Sequence, residues 1–394
     1  MGLTRPSSRT IIGNMIPRIV QQNVIKSLNE WRKVVVVLGP RQSGKTTVLM
    51  NLRQILEAAG KRVVYLNCDL AEDRTAIDST TKTILGKTLK GVDYLLVDEA
   101  QRMVNPGLTF KIIYDNFTEV KVVATGSSSF ELKNRLSDAM TGRYIDFVLY
   151  PLSLVEIANF EKPLSADLLV NEILLYGEYP EVYLLKQPEL KKILLAKIGE
   201  SYLFKDILAF SRIRNSEAIQ NLARALAYRV GSEINENELA SRIKIDRKTL
   251  LSYLDILEKA FVVYRLYPYS QNPRREIGRR YKVYFVDLGI RNMLVGDFNP
   301  IGFRSDAGKI WENFLVIERI KRNVNMGSLV KPYFWRSYNG SEVDYLELGG
   351  GKMEGWEIKS GERGSLSRGA GVFMKIYKAG VSLVNKENFR KFVE

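Results

Sequence analysis

Histidine is absent from this sequence of 394 residues, and cysteine occurs once, at Cys68. The lack of histidine excludes nucleophilic catalysis by Ser-His-Asp or Cys-His groups, and with one cysteine ordinary zinc sites are excluded as well. A single cysteine forms no internal disulfide, which suits a reducing cytoplasm. Any chemistry must therefore use carboxylates, lysine, arginine, backbone amides and hard cations such as Mg²⁺.

Long apolar runs are also missing. No stretch approaches the ~18 residues that span a bilayer, and the opening MGLTRPSSRT is not followed by the apolar segment of a secretion signal. We therefore expect a cytoplasmic protein with no membrane partner. The hydrophobic fraction of 45% is that of an ordinary globular protein, and the length indicates two or three domains.

The charge is unbalanced, because 59 lysines and arginines face 44 aspartates and glutamates, a net charge of +15. Such an excess favours a polyanionic partner such as nucleic acid. The alternative is a diffuse basic surface that has no specific partner.

The clearest motif is VVVVLGPRQSGKTT, from Val34 to Thr47. Its apolar, β-branched run predicts a strand buried on both faces, and the glycine, lysine and threonine that follow have the G-x-x-x-x-G-K-[ST] spacing. In such a loop, backbone N–H groups close around phosphates at the positive end of the next helix. Lys45 is expected on the β- and γ-phosphates of ATP and the Thr46 hydroxyl on Mg²⁺. The predicted nucleotide-binding residues are Gly39, Pro40, Arg41, Gln42, Ser43, Gly44, Lys45, Thr46 and Thr47.

A second motif, YLLVDEAQ, runs from Tyr94 to Gln101 and places Asp98 and Glu99 at the end of an apolar strand. Ligands of α/β proteins bind at this edge of the sheet. We expect Asp98 to hold Mg²⁺ through water and Glu99 to polarise the water that attacks the γ-phosphate. The alternative is a pair of solvated acids at a strand end.

Three further strand-like runs are predicted to complete a parallel sheet covered by helices on both faces. They are a buried strand at Val63–Asp69, then Val120–Ser129 and Tyr144–Ser153. A short helix is predicted ahead of the first strand, and the polar stretch AEDRTAIDSTTK separates the second strand from YLLVDEAQ. The fold class is therefore α/β, of the P-loop NTPase type.

GPRQSGKT, LLVDEAQ and ATGSSS resemble the AAA-type ATPase module of a widespread prokaryotic family, whose members join it to a C-terminal domain of unknown function. YGEYPEVY, KVYFVDLGIRNMLVG, WENFLVIERI and WRSYNGSEVDYLE resemble the same family, so the likeness spans nearly the whole chain. It implies a γ-phosphate sensor at Thr125 and Ser127, although the asparagine that many AAA proteins use there is missing. It also implies that Arg143 is an arginine finger offered to a neighbouring subunit of a homo-oligomer. The alternative for Arg143 is a surface arginine in a turn.

The segment after the sheet has the three-and-four periodicity of helices, which suits the small helical lid that AAA modules place beside the nucleotide. Residues 235–269 then have the pattern of a winged helix-turn-helix, with a helix from Glu236 to Arg242 and a second that begins at Asp246. Arg247 and Lys248, with Thr249 and Tyr253, are expected near the exposed start of the second helix, where a DNA reader meets the groove. Such a module could instead bind protein or act as a spacer.

The last part of the chain contains another set of acids. Asp344 lies on an alternating strand, and Glu357 and Lys359 share one face of the next strand, across Gly349–Gly351. Glu312, on the preceding helix, could join them. The set resembles the PD-(D/E)xK nuclease core, in which the acids bind Mg²⁺ and the lysine assists water. Such a domain could cleave DNA or only bind it.

A basic loop, PRREIGRRYK, leads into this last domain. Arg274 and Arg275 could contact DNA phosphates or simply be part of a solvated connector.

The sequence thus predicts four domains: a P-loop ATPase core at 1–155, a helical lid at 156–230, a winged helix at 231–270 and a nuclease-like domain at 271–394. The predicted function is a Mg²⁺-dependent, AAA-type ATPase that acts on DNA. The alternatives are an ATP-regulated DNA nuclease and a nucleotide-switched scaffold or DNA-binding regulator that has no catalytic activity.

Overall fold

The computed structural model describes residues 15–127, 129–137, 139–161, 166–200, 215–270, 280–337, 339–362 and 364–394. The chain divides into two compact units, Met1–Leu164 and Ser165–Glu394. None of the helices in the described ranges is long and apolar enough to cross a membrane.

The first unit is built on a five-stranded sheet in which every neighbouring pair of strands is parallel. The strands are β1 (Val34–Leu38), β2 (Val63–Asn67), β3 (Tyr94–Asp98), β4 (Lys121–Gly126) and β5 (Tyr144–Val148). Their order across the sheet is β2-β3-β4-β1-β5, so β4 separates the strand of the phosphate loop from the strand that ends at Asp98. This confirms the α/β fold class and the parallel sheet.

Helices connect these strands. They are α1 (Ile19–Glu30), α2 (Lys45–Ala58), α3 (Ala71–Ile77), α4 (Lys82–Leu89), α5 (Pro106–Asn116), α6 (Ser129–Ser137) and α7 (Leu154–Glu161). Apolar residues of α1 and α2 form one core with alternate residues of β1, such as Val35 and Val37. All five residues of β1 are buried, so both faces of this interior strand are covered, as its unbroken apolar run predicts.

One expectation for this unit needs correction. The run at Val63–Asp69 is not a fully buried strand, because β2 lies at the edge of the sheet and four of its five residues are only half-buried. The polar stretch AEDRTAIDSTTK contains α3 and the start of α4, of which only a few side chains, such as Ile77, are buried. Mostly exposed helices carry little apolar periodicity, and a sequence pattern therefore does not detect them.

The second unit begins with helices and continues into two small sheets. Its helices are α8 (Ala166–Tyr176), α9 (Pro180–Leu184), α10 (Pro188–Ile198), α11 (Ser216–Tyr228), α12 (Glu236–Arg242), α13 (Arg247–Lys259), α14 (Leu288–Val295), α15 (Ala307–Asn325), α16 (Arg368–Tyr377) and α17 (Phe389–Val393). Its strands are β6 (Val263–Leu266), β7 (Lys282–Phe285), β8 (Lys331–Arg336), β9 (Glu342–Gly349), β10 (Lys352–Ile358) and β11 (Gly380–Val384).

The elements of the predicted helix-turn-helix are present with the expected bounds. The Asp246 side chain caps α13 by accepting a hydrogen bond of 2.9 Å from the Thr249 N–H. β6 follows and pairs antiparallel with β7, so this strand pair extends across the boundary predicted at residue 270. One hydrophobic core runs from Tyr179 to Leu294 and includes helices from the predicted lid as well as α12 and α13. The placement of that lid beside a nucleotide stays a prediction.

The C-terminal sheet has the order β11-β10-β9-β8, and β9 and β10 form the hairpin predicted across the glycine turn. A buried ionic network lies nearby within the same unit. The Lys321 ammonium bonds the Glu178 carboxylate and lies 2.8 Å from that of Glu318, and all three residues are at most 4% exposed. The Glu178 N–H also donates to Asp287, at 2.6 Å. The YGEYP and VDLG segments that carry the family resemblance therefore meet here.

Candidate nucleotide-binding site

The phosphate loop connects β1 to α2 and depends on two glycines. A Cβ atom at Gly39 would lie 2.1 Å from the Leu149 carbonyl oxygen, so only glycine fits this close approach. Gly44 has a φ of 97°, in the left-handed region that favours glycine. No side chain of the described residues caps α2, and the N–H groups of its first turn face outward from the positive end of the helix. This arrangement suits a phosphate group.

Lys45 is 4% exposed, and its ammonium folds back onto the loop. It donates to the carbonyl oxygens of Gly39, at 3.0 Å, and Pro40, at 2.9 Å. Burial lowers the pKa of Lys45 to about 8, against the opposing effect of the Glu99 and Asp98 carboxylates. A bound polyphosphate would replace the two neutral acceptors with negative charge and stabilise the ammonium.

Nucleotide binding is therefore expected to take up a proton at alkaline pH. Near pH 8 about half of the free protein carries neutral Lys45, so binding of ADP takes up about half a proton at pH 8 and close to none at pH 6. Titration calorimetry in two buffers of different protonation enthalpy measures this uptake. In Lys45→Arg the side chain stays charged and the uptake should vanish. Equal uptake in this variant, or none in the wild type at pH 8, would contradict the assignment.

Asp98 is 1% exposed and accepts hydrogen bonds from three hydroxyl groups. Thr46 Oγ1 donates to Asp98 Oδ2 at 2.6 Å, and the Tyr65 hydroxyl donates to the same oxygen at 3.2 Å. Thr125 donates to Asp98 Oδ1 and accepts the Glu99 N–H at 3.1 Å. The Thr46 hydroxyl and the Asp98 carboxylate are hard oxygen donors side by side, and this pair fits Mg²⁺.

Glu99 follows β3 with a φ of 53°, a left-handed conformation that is uncommon for a residue with a side chain. Strain of this kind costs about 1–3 kcal/mol and is typical of functional sites. Gln101 donates to the Glu99 carboxylate and, at 3.0 Å, to the Ser127 hydroxyl. The two predicted sensor residues therefore lie within the Asp98–Glu99 network, one bonded directly and the other through Gln101. Their response to a γ-phosphate stays a prediction.

Arg18 is a residue of this site that the sequence analysis missed. Its guanidinium is buried and donates to the carbonyl oxygens of Ser43 and Tyr150, each at 2.6 Å. It also lies 3.1 Å from the Glu156 carboxylate. The side chain thus holds the back of the phosphate loop in place. No motif surrounds it, and two of its partners are backbone atoms that any sequence would supply.

Arg143 lies just before β5, and its carbonyl oxygen accepts the N–H of Val34, the first residue of β1. The strands are parallel, so this is the edge of the sheet opposite the phosphate loop. Its guanidinium lies 3.2 Å from the Asp115 carboxylate and above the Tyr114 ring. A finger role toward a neighbouring subunit stays a prediction.

The second set of acids is brought close together, but its side chains face other partners. Glu312 and Asp344 lie around the ammonium of Lys282, while Glu357 pairs with Lys359 at 2.7 Å. Within the described ranges, no three histidine, cysteine, aspartate or glutamate side chains are grouped so that they could hold a metal ion. The side chains of this set, as placed, do not fit Mg²⁺.

The predicted DNA contacts have different environments. Lys248 is exposed at the start of α13, and Arg247 is exposed but lies 2.5 Å from the Glu236 carboxylate. Tyr253 was expected near this exposed face, which is wrong: it is 7% exposed and lies in the core, because the inner face of α13 turns toward α11 and α12. Arg274 and Arg275 fall outside the described residues.

Three family models match successive parts of the chain. Residues 31–158 match the model described as an AAA domain. This match lies within the first unit. Residues 168–300 and 307–390 match two models that are each described as a domain of unknown function, DUF8612 and DUF4143.

Relatives of similar length occur in bacteria and archaea. An uncharacterized protein of Haemophilus influenzae is 26% identical over 349 residues, which cover 83% of each chain. An uncharacterized protein of Mycobacterium tuberculosis is 26% identical over 340 residues, covering 85% of this chain and 72% of that protein. One of Methanocaldococcus jannaschii is 26% identical over 346 residues, covering 81% and 73%.

Among solved structures, the AMPPCP-bound DnaA of Aquifex aeolicus is 18% identical, with a TM-score of 0.35 over 64% of this chain and 90% of that chain. A replication initiator DnaA bound to AMPPCP and single-stranded DNA is 16% identical, with a TM-score of 0.33 over 62% and 90%.

Proposed function

We propose that the chain is an ATPase that depends on Mg²⁺, with ATP bound at the phosphate loop and Glu99 acting on the attacking water. The observation that carries the proposal is the hydrogen-bond network at the carboxyl edge of the sheet. There Thr46, Asp98 and Glu99 are tied together beside the uncapped start of α2. This combines a phosphate-binding element with a metal-binding pair and the Glu99 carboxylate, the parts that phosphoryl transfer needs.

In this mechanism Lys45 leaves the carbonyl oxygens of Gly39 and Pro40 and contacts the β- and γ-phosphates. Thr46 and Asp98 would hold Mg²⁺, and the metal would supply positive charge that neutralises the phosphates. Thr125 fixes the Asp98 carboxylate and the Glu99 backbone relative to each other. The Glu99 carboxylate, oriented by Gln101, accepts a hydrogen bond from the attacking water. These groups are positioned in advance, so little reorganisation is needed at the moment of reaction.

The proposal predicts ATP hydrolysis that requires Mg²⁺ and is lost in Lys45→Ala. Tight ATP binding with negligible turnover in the wild type would instead support a nucleotide-switched scaffold.

We further propose that nucleic acid binds the second unit along a basic groove. The groove has a volume of about 540 Å³ and lies between α11 and the turn that follows α12. Its lining includes four cationic residues and one acid, Glu217; the cations are Arg224, Arg229, Arg242 and Lys244. Arg229 pairs with Glu238 at 2.5 Å. For the other three cations, no carboxylate of the described residues lies within ion-pairing distance. Such cations match the spaced charges of a nucleic-acid backbone.

Reversing two of these charges is expected to weaken DNA binding in a way that depends on salt. The variant Arg242→Glu/Lys244→Glu loses two phosphate contacts, so the slope of log affinity against log salt concentration becomes shallower by about 2. Fluorescence anisotropy with a labelled duplex across a salt series measures the slope. Lys375→Glu/Lys391→Glu makes the same change of charge at exposed sites of the same unit and controls for net charge. Equal slopes for both variants would contradict the groove.

A further inference from the structure

Lys282, on β7, ends in a group of three carboxylates, of which one is buried and two are half-buried. It is 2% exposed, and its ammonium lies 2.9 Å from Glu312 Oε1 and 3.9 Å from Asp344 Oδ1. It also contacts the Glu342 carboxylate directly. Glu312 belongs to α15, and the other two acids belong to β9. A cation supplied by the chain itself therefore lies where acids from two elements converge.

Two of these acids, Glu312 and Asp344, belong to the set that resembles a nuclease core. In such a core the carboxylate oxygens would surround Mg²⁺ at about 2.0–2.1 Å. Here their shared neighbour is the Lys282 ammonium, which is hydrogen-bonded to Glu312 at 2.9 Å and lies at the outer limit of an ion pair, 3.9 Å, from Asp344. The Tyr284 hydroxyl donates to Glu312 Oε1 at 2.8 Å, and the Ile358 N–H donates to Asp344 Oδ2 at 2.8 Å.

The remaining members of the nuclease-like set are also engaged within the chain. Glu357 Oε1 lies 2.7 Å from the Lys359 ammonium, and Glu357 Oε2 accepts the Ser367 N–H at 2.8 Å. In a nuclease core Lys359 would assist the attacking water and Glu357 would bind the metal, but here their charges neutralise each other. Among the described residues, no three histidine, cysteine, aspartate or glutamate side chains are grouped so that they could hold a metal ion, and this includes Asp344, Glu357 and Glu312.

The charges of the cluster are nearly balanced. Lys309 lies 3.0 Å from Glu312 Oε2. Arg336 lies 2.6 Å from the Glu233 carboxylate and 3.7 Å from Glu342 Oε2, so three cations face four carboxylates. Burial alone would lower the pKa of Lys282, but Tyr284 and the surrounding carboxylates raise it well above its ordinary value. The ammonium in turn helps to hold the pKa of Glu312 below its ordinary value, although burial acts to raise it. A divalent cation added to this set would create an uncompensated positive charge.

We propose that Lys282 takes the place of a divalent cation in this carboxylate set. The set is then a closed ionic cluster that holds the β6–β7 strand pair against α15 and β9, and it performs no metal-dependent cleavage of nucleic acid. The lysine makes the cluster permanent, since no loss of metal can open it. This inference concerns the second unit alone and does not rest on ATP hydrolysis.

The test replaces the lysine and measures metal binding in the full chain without nucleotide. The probe is Mn²⁺, followed by its paramagnetic resonance signal and by the melting temperature with Mn²⁺ or with EDTA. The wild type is expected to melt at the same temperature with Mn²⁺ and with EDTA. Any Mn²⁺ that it binds should be bound equally well by Asp344→Asn. In EDTA, Lys282→Met should melt about 6–20 °C lower, because buried carboxylates are left without their cation. Mn²⁺ should restore part of that loss, and Asp344→Asn added to Lys282→Met should abolish the restoration.

Two results would overturn the proposal. One is a folded Lys282→Met whose melting temperature is unchanged or that gains no Mn²⁺ binding. The other is Mn²⁺ binding by the wild type, or Mn²⁺-dependent cleavage of plasmid DNA by the wild type, that is lost in Asp344→Asn. This second result needs no lysine variant, so it tests the proposal even if Lys282→Met does not fold. Asp98→Asn serves as the control for metal held at the phosphate loop.

Discussion

Replacing Glu99 by glutamine is expected to lower the rate of ATP hydrolysis by about 10²–10³-fold while leaving ATP binding nearly unchanged. The amide has the shape of the carboxylate and can still accept the hydrogen bond from Gln101, so the strained turn after β3 is preserved. It cannot accept a proton from water, and the loss therefore falls on the chemical step. A fall in kcat at constant affinity is the signature of an interaction made in the transition state.

Steady-state turnover and equilibrium binding of a fluorescent ATP analogue separate these two effects. Glu119→Gln, at an exposed position just before β4, is the matched control and should behave as the wild type. If Glu99→Gln hydrolyses ATP at the wild-type rate, another group activates the water. If it loses ATP binding instead, Glu99 has a structural role in the loop.

Replacing Lys321 by methionine is expected to destabilise the second unit by about 3–5 kcal/mol, because it leaves Glu178 and Glu318 buried without their cation. Methionine has a similar length and apolar character, so the lost packing is small. Burial and Glu318 already raise the pKa of Glu178, and Lys321 acts against them. Without the lysine, Glu178 takes up a proton in the folded state more readily. Folded protein then binds more protons than unfolded protein, so the loss of stability is smaller at pH 5 than at pH 8.

Urea unfolding at both pH values measures this loss. Lys26→Met removes an exposed lysine that pairs with Glu30 on α1, and its stability should stay close to that of the wild type. The double variant Glu178→Gln/Lys321→Met should recover much of the loss, because a neutral amide replaces the unpaired acid. A Lys321→Met variant as stable as the wild type would show that the network is not a source of stability.

Local patterns sufficed for much of the fold. The strand, loop and helix around Lys45 follow from β-branched runs and glycine spacing, and α12 and α13 follow from an N-cap residue and apolar periodicity. Asp98 and Glu99 were found because they end an apolar strand, at the edge of the sheet where α/β proteins bind ligands. In each case the decisive information lies within about ten residues of the chain.

The contacts that the sequence did not disclose join distant residues. Lys282 lies on a short strand, and the residue pattern of a strand indicates which side chains are buried but not which residues they contact. Its carboxylate partners lie 30 to 62 positions further along the chain. Glu312 and Asp344 were predicted to bind a metal because the motif contains acids and one lysine. The second lysine, which enters from β7, is not part of that motif. Tyr253 and the half-buried strand β2 were misjudged for a related reason: exposure depends on which elements pack on each side.

ATP hydrolysis by the wild type and by Lys45→Ala, with Mg²⁺ and with EDTA, tests the central claim most directly. The wild type should hydrolyse ATP in Mg²⁺ and stop in EDTA, because Thr46 and Asp98 then lack their metal. Lys45→Ala should show no turnover under either condition, since the ammonium that contacts the phosphates is gone. Hydrolysis by Lys45→Ala at the wild-type rate, or none by the wild type above that variant, would contradict the account.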